Sequence, residues 1–264
     1  MMTNEVSRTT LIRTHTNSSS FLRERTNLRL NKMAVSGENE TLGVFTACLD
    51  GNLDVLRYFL DQEGVHFDHA DDNGCTLLYI SCRYFRADCI RYLLDLGADP
   101  NKANSFGDTP LHLACELGIA DCVYLLMEHR VNVNPKDDKG RTPLEVACYF
   151  GSVECVLILL GNGADYNIRD QAGKTALHIA CIRGKPGCAE LLLDHGADIN
   201  VKDKNERTPM HGACFHGKTE CVALLLRRGA VSCLIDKDQY TPYDFAKMNQ
   251  HDACAEMIWS RIYG

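Results

Sequence analysis

The chain has 264 residues, 45% hydrophobic and 24% charged, the balance of a folded, water-soluble protein. No apolar run exceeds Val156-Leu157-Ile158-Leu159-Leu160, far short of the roughly 20 residues that cross a bilayer, and the N-terminus never develops the apolar core of a secretory signal. The formal charge of −7 is uneven: residues 1–38 hold six Lys/Arg and three Asp/Glu, so the rest of the chain carries −10, which argues against a phosphate-binding face and a nucleic-acid partner.

The first 38 residues are rich in Thr, Ser, Asn and Arg and read as a disordered basic tail. The Arg/Ser bias also fits a mitochondrial presequence, although Phe21-Leu22 and Leu28-Arg29-Leu30 make only a weak amphipathic helix, and Met33 is an alternative start.

Past the tail, the chain repeats. Thr76, Thr109, Thr142, Thr175, Thr208 and Thr241 fall 33 residues apart. Each opens a phrase such as Thr109-Pro-Leu-His-Leu-Ala-Cys115, Thr142-Pro-Leu-Glu-Val-Ala-Cys148 or Thr208-Pro-Met-His-Gly-Ala-Cys214. Thr offers an N-cap oxygen to the unpaired first amides of a helix, and the Pro that follows loses nothing by lacking an N–H there. Nine residues on, Gly118, Gly151, Gly184 or Gly217 permits the left-handed turn that ends the helix. A second apolar phrase, such as Cys122-Val-Tyr-Leu-Leu126, then closes on Gly-Ala-Asp, as at Gly163-Ala-Asp165. Each unit is therefore a predicted helical hairpin. Asp137-Asp-Lys-Gly140 and its equivalents predict a turn between units, flanked by extended arms as in a β-hairpin.

This period, with Thr-Pro-Leu-His-x-Ala, a midpoint Gly and Gly-Ala-Asp-x-Asn, resembles the ankyrin repeat. The resemblance covers residues 39–264 and implies an all-α solenoid of helix-turn-helix units with hairpin-like fingers. Seven units are expected, at about 39–70, 71–103, 104–136, 137–169, 170–202, 203–235 and 236–264. The ends depart from the pattern: the first unit has Leu42-Gly-Val-Phe45 as its opening phrase, the second has Phe85 at the midpoint, and the last two have Glu206 and Gln239 at the turn glycine. One unit cannot bury its own apolar flanks, so stacking is obligatory.

Twelve of the fourteen cysteines occupy two fixed slots: Cys48, Cys82, Cys115, Cys148, Cys181 and Cys214 on the first helix, Cys89, Cys122, Cys155, Cys188, Cys221 and Cys254 on the second. They form no close C-x₂-C pairs, so they are read as small buried apolar side chains rather than zinc ligands, in a reducing compartment. Cys75 and Cys233 fall outside both slots, and Cys75, on a finger, is the candidate reactive thiol. His112, His178 and His211 share one slot with Glu145 and Asp244, which suits a side chain bonding backbone near the cap and at the next unit better than an acid/base role. No catalytic, cofactor or metal motif stands out, so no enzyme activity and no cofactor is expected.

If the repeated slots build the scaffold, recognition falls to positions where units differ. The ankyrin resemblance places the residues before the midpoint glycine and the finger tips on a concave groove. The expected partner-binding residues are Tyr84, Phe106, Arg141, Tyr149, Phe150, Ile182, Arg183, Arg207, Phe215, His216 and Tyr240, a set rich in the aromatic and Arg side chains that dominate interface hot spots. The expected function is a non-catalytic protein-interaction module, an adaptor, scaffold or regulatory subunit, acting as an intracellular monomer in cytoplasm or nucleus. Alternatives are an inhibitor of a transcription factor, a ubiquitin-ligase substrate adaptor and, remotely, a thiol- or metal-dependent enzyme. The resemblance further implies Asn101, Asn134, Asn167 and Asn200 as asparagine-hydroxylation positions.

Overall fold

A computed structural model describes residues 40–263, so the tail and the features read into it lie outside the described residues. Fourteen helices follow in consecutive pairs: α1 (Glu40–Asp50) with α2 (Leu53–Asp61), α3 (Leu77–Arg83) with α4 (Ala87–Asp95), and α5 (Pro110–Leu117) with α6 (Ala120–Met127). Then come α7 (Pro143–Phe150) with α8 (Val153–Gly161), α9 (Ala176–Arg183) with α10 (Pro186–Asp194), α11 (Pro209–Phe215) with α12 (Thr219–Arg227), and α13 (Pro242–Met248) with α14 (Asp252–Tyr263). The fold is all-α, an ankyrin-type solenoid.

The first helix of each of the last six pairs starts where the threonines direct. Each of the six sits in extended backbone immediately before its helix, and Thr76, Thr109, Thr142 and Thr241 accept from the amides of Tyr79, His112, Glu145 and Asp244. Gly118 ends α5 at φ 68°, and Phe85 takes the same left-handed turn at φ 45° although its Cβ is disfavoured there. The turn is therefore imposed by the stacking of one pair on the next, with glycine easing it.

The fingers differ from a hairpin of paired strands. The one isolated bridge among the described residues joins Ala70 and Thr76. Each tip is closed by backbone bonds, such as Asp137 N–H to Arg141 O, and by one side chain: Asp137 Oδ1 accepts from the amides of Lys139 and Arg141, and Asp170, Asp203 and Asp236 repeat the arrangement. Successive fingers are then tied by backbone bonds from Ser105 to Asn73, Asp138 to Phe106, Gln171 to Lys139, Lys204 to Ala172 and Lys237 to Asn205. These amides are satisfied by carbonyls of the preceding finger.

First helices pack on neighbouring first helices and second on second, which buries Leu111, Leu144 and Leu177 along one row and Leu126, Leu159 and Leu192 along another. A single apolar cluster runs from Val44 to Ile258, and each fully buried leucine contributes about 1.5–3 kcal/mol.

All twelve slot cysteines are buried within this cluster. The thiols neighbour one another between pairs, Cys82 beside Cys122, Cys115 beside Cys155, Cys148 beside Cys188 and Cys181 beside Cys221, and all are free. Burial pushes the Cys48 thiol up to about 12, which keeps it protonated and inert. The reading of Cys75 as the reactive thiol is corrected by the structure. Cys75 is only 8% exposed, and burial and then Asp71 push its thiol up, whereas Cys233 is the exposed one. Among the described residues no group of three or more ligating side chains gathers. We expect Cys148→Ala to lower unfolding stability by about 1 kcal/mol or less, the loss of one small packed atom, and a chelator to leave far-UV helicity unchanged. Loss of helicity with chelator, or of several kcal/mol in Cys148→Ala, would reverse this reading.

Candidate groove between the fingers and the first helices

The histidine slot ties the scaffold on which the variable side chains sit. His112, His178 and His211 each lie one helical turn past a capping Thr, and each Nδ1 accepts the N–H of that Thr. Across the gap, Nε2 meets the carbonyls of Arg141, Arg207 and Tyr240 at 3.1, 3.0 and 3.2 Å. With Nδ1 accepting, the proton belongs on Nε2, so each imidazole is neutral and bridges one helix to the next finger. Burial lowers all three pKa values, opposed chiefly by the backbone bond to that finger.

Among the third to sixth pairs the fourth is the exception. Glu145 occupies the slot, 1% exposed, and neither carboxyl oxygen has a hydrogen-bond partner among the described residues. Burial, then the charges of Asp170 and Asp137, push it up to about 8, with Lys136 opposing. Lys174 O, the counterpart of the bridged carbonyls, accepts from Asp170 N within its own finger and receives no imidazole.

Eight of the eleven expected binding residues separate into two groups. Tyr84 and Phe106 are exposed near the second and third pairs, with no ring contact to the others. Six more gather around the last turns of α7, α9 and α11. Tyr149 and Phe150 lie 5.0 Å apart, and the Arg183 guanidinium stacks 3.7 Å over the Tyr149 ring, close enough for a substantial cation–π attraction. Phe215 meets His216 edge-on at 4.9 Å, and Ile182 leans toward Gly212. Tyr240 packs 5.8 Å from Phe245.

Arg141 and Arg207 also carry structural duties. Arg141 grips Asp137 Oδ2 with both Nε and Nη2 at 2.6 Å. Arg207 Nε reaches the fully buried Asp236 carboxylate on the next finger at 2.9 Å, with its guanidinium 4.9 Å from the Phe245 ring. Burial works to raise Asp236, yet the Arg207 bond and the finger amides hold it below its ordinary value.

A cleft of about 170 Å³ opens where fingers and first helices meet, walled by Ile182, Phe215 and Phe245, with Lys174, Arg207 and His216 at its rim. The expected set missed Gly212 and Phe245. The signal for Gly212 is in the sequence: four residues after the capping Thr the successive units carry Ile80, Leu113, Val146, Ile179, Gly212 and Phe245, and only one lacks a side chain.

The family description "Ankyrin repeats (3 copies)" matches residues 20–104, 96–170, 167–203 and 177–262. Among solved structures, the chain is similar to the ankyrin repeat domain of Bcl-3, described as a unique member of the IkappaB protein family. The TM-score is 0.72 at 27% identity, covering 82% of this chain and 97% of that one. A search of curated proteins returns no significant match. Matches extend to 611 solved chains, so the fold by itself selects no partner. The chain belongs to the ankyrin-repeat family, and its fold is one that serves protein–protein interaction.

Proposed function

We propose that this ankyrin-repeat protein is a non-catalytic adaptor or regulatory subunit that holds a segment of a partner protein in the groove between its fingers and first helices. The observation that carries the reading is the cluster of Tyr149, Phe150, Arg183, Phe215 and His216. These are aromatic and cationic side chains, exposed or half-buried, at the ends of first helices where the repeated units differ from one another. Such side chains supply contact area at low entropic cost, while the buried slots beneath hold them in place. The same observation favours binding over chemistry, because the buried histidines are already committed to backbone bonds. We further read the protein as an intracellular monomer; no helix among the described residues is long and apolar enough to cross a membrane.

The test is capture with the full chain beside a Tyr149→Ala, Phe150→Ala, Phe215→Ala triple variant. Each partner recovered by the parent should bind the triple variant at least about tenfold more weakly, with the helical circular dichroism unchanged. Undiminished affinity for every partner would place recognition elsewhere. Inhibition of a transcription factor is the second reading, supported by the likeness to the Bcl-3 domain and that protein's IkappaB membership.

A further inference from the structure

Gly212 stands in the middle of α11 with ordinary helical backbone, so no conformational demand calls for glycine, and glycine weakens the helix. What it supplies is room. A Cβ at this position would meet Ile182 Cγ1 at 2.7 Å, so Ile182 leans into the vacated space and the cleft opens between Ile182, Phe215 and Phe245. A dry apolar cavity of about 150 Å³ holds a benzene ring, so a cleft of about 170 Å³ is large enough for one aromatic or leucine side chain.

Two unpaired cations, one lining the cleft and one beside it, stand out in a chain that is otherwise acidic. Lys174 has no ion-pair partner among the described residues, and Arg183 is stacked on Tyr149 without a carboxylate. Burial lowers the pKa of His216, and Lys218, Arg183 and His251 lower it further, which reports a field of positive sign at the mouth. Asp203 also lines the cleft, its carboxylate capping the amides of Asn205 and Arg207, and Asp236 and Asp238 take up the Arg207 charge, which leaves Lys174 and Arg183 as the cations free to meet a ligand.

We propose that the Gly212 cleft seats one large apolar side chain of an acidic peptide segment in the partner, whose carboxylates meet Lys174 and the neighbouring Arg183. This rests on the groove reading above and names the chemistry of its occupant. The apolar anchor supplies the contact area, and the two cations select for its acidic neighbours and speed encounter.

The probe is a random peptide library displayed on phage and selected against the full chain. The selected peptides should share one Phe, Trp or Leu flanked by Asp or Glu, and should bind Gly212→Val at least about tenfold more weakly than the parent. Lys174→Glu, a rim change that leaves the interior untouched, should weaken the same peptides and decides the question should Gly212→Val lose its fold. Failure to select any such consensus, or equal binding to a folded Gly212→Val, or to Lys174→Glu where Gly212→Val does not fold, overturns the proposal. Peptides that are lost in the Tyr149/Phe150/Phe215 variant but indifferent to Gly212→Val would leave the groove standing and remove the cleft. Peptides indifferent to both would remove both.

Discussion

Glu145→Gln should make the protein more stable, and the gain should grow with pH. Glu145 lies buried with both oxygens unpartnered, and burial followed by the charges of Asp170 and Asp137 raises its pKa from 4.5 to about 8. A carboxyl raised in the folded state binds its proton more tightly there than in the unfolded chain. Its contribution is therefore fully present below pH 4.5 and is lost as the pH rises toward 8. At about 1.4 kcal/mol per pH unit, the difference across that window is on the order of 5 kcal/mol. For a chain of this size the melting temperature of Glu145→Gln relative to the parent should rise by roughly 10–20 °C between pH 4.5 and 8.5. Glu145→His should do better than Gln at neutral pH, because a neutral imidazole would accept from Thr142 N and donate to Lys174 O, as its three counterparts do. Thermal melts of parent and both variants at pH 5, 7 and 8.5 settle the matter. Curves for parent and Glu145→Gln that stay parallel across this range would show that the carboxyl is not held protonated.

The scaffold was legible because each of its landmarks is a local device that recurs with the period. A capping Thr, an N1 Pro and a left-handed midpoint each have a cause within a few residues, so repetition converts weak signals into a strong one. Phe85, Glu206 and Gln239 show the complement: they adopt φ values of 45°, 60° and 68° against their own preference, because neighbours on both sides fix the turn. Strand-like arms were a weaker expectation, since an Asp side chain does locally what a strand pairing would otherwise do. Cys75 was placed by its position on a finger, yet the solvation of a thiol depends on what the adjoining finger and helix cover, which its local sequence does not report.

The groove was legible in part. Comparing units at equivalent positions singles out aromatic and Arg substitutions readily, but a missing side chain is easily passed over, which is why Gly212 went unmarked while Phe215 three residues away did not. Arg207 shows a second limit. Its type suggested recognition, and the structure gives it a buried partner in Asp236 as well, so its removal would confound binding with stability.

His178→Ala should lower unfolding stability by about 2–4 kcal/mol. The change leaves the Thr175 amide without its 3.2 Å acceptor, removes the 3.0 Å bond to Arg207 O, and opens a cavity under a side chain that is almost wholly buried. Amide exchange should quicken in the finger around Asp203 and Arg207, which the imidazole holds to α9. The pH dependence runs opposite to that of Glu145. Burial lowers the His178 pKa despite the Arg207 backbone bond, so the unfolded chain takes up a proton first. The imidazole's stabilising contribution is then complete above about pH 6.5 and declines as the pH falls below it. Protonation at Nδ1 would aim a second donor at the Thr175 N–H, which is why the charged form has no place in the slot. His112 and His211 share this geometry and direction, so the parent should lose stability between pH 6.5 and 5 in excess of what its carboxylates explain. His178→Ala should lose less over the same interval, and an acid limb identical in the two proteins would mean that the neutral bridge is not what holds helix to finger.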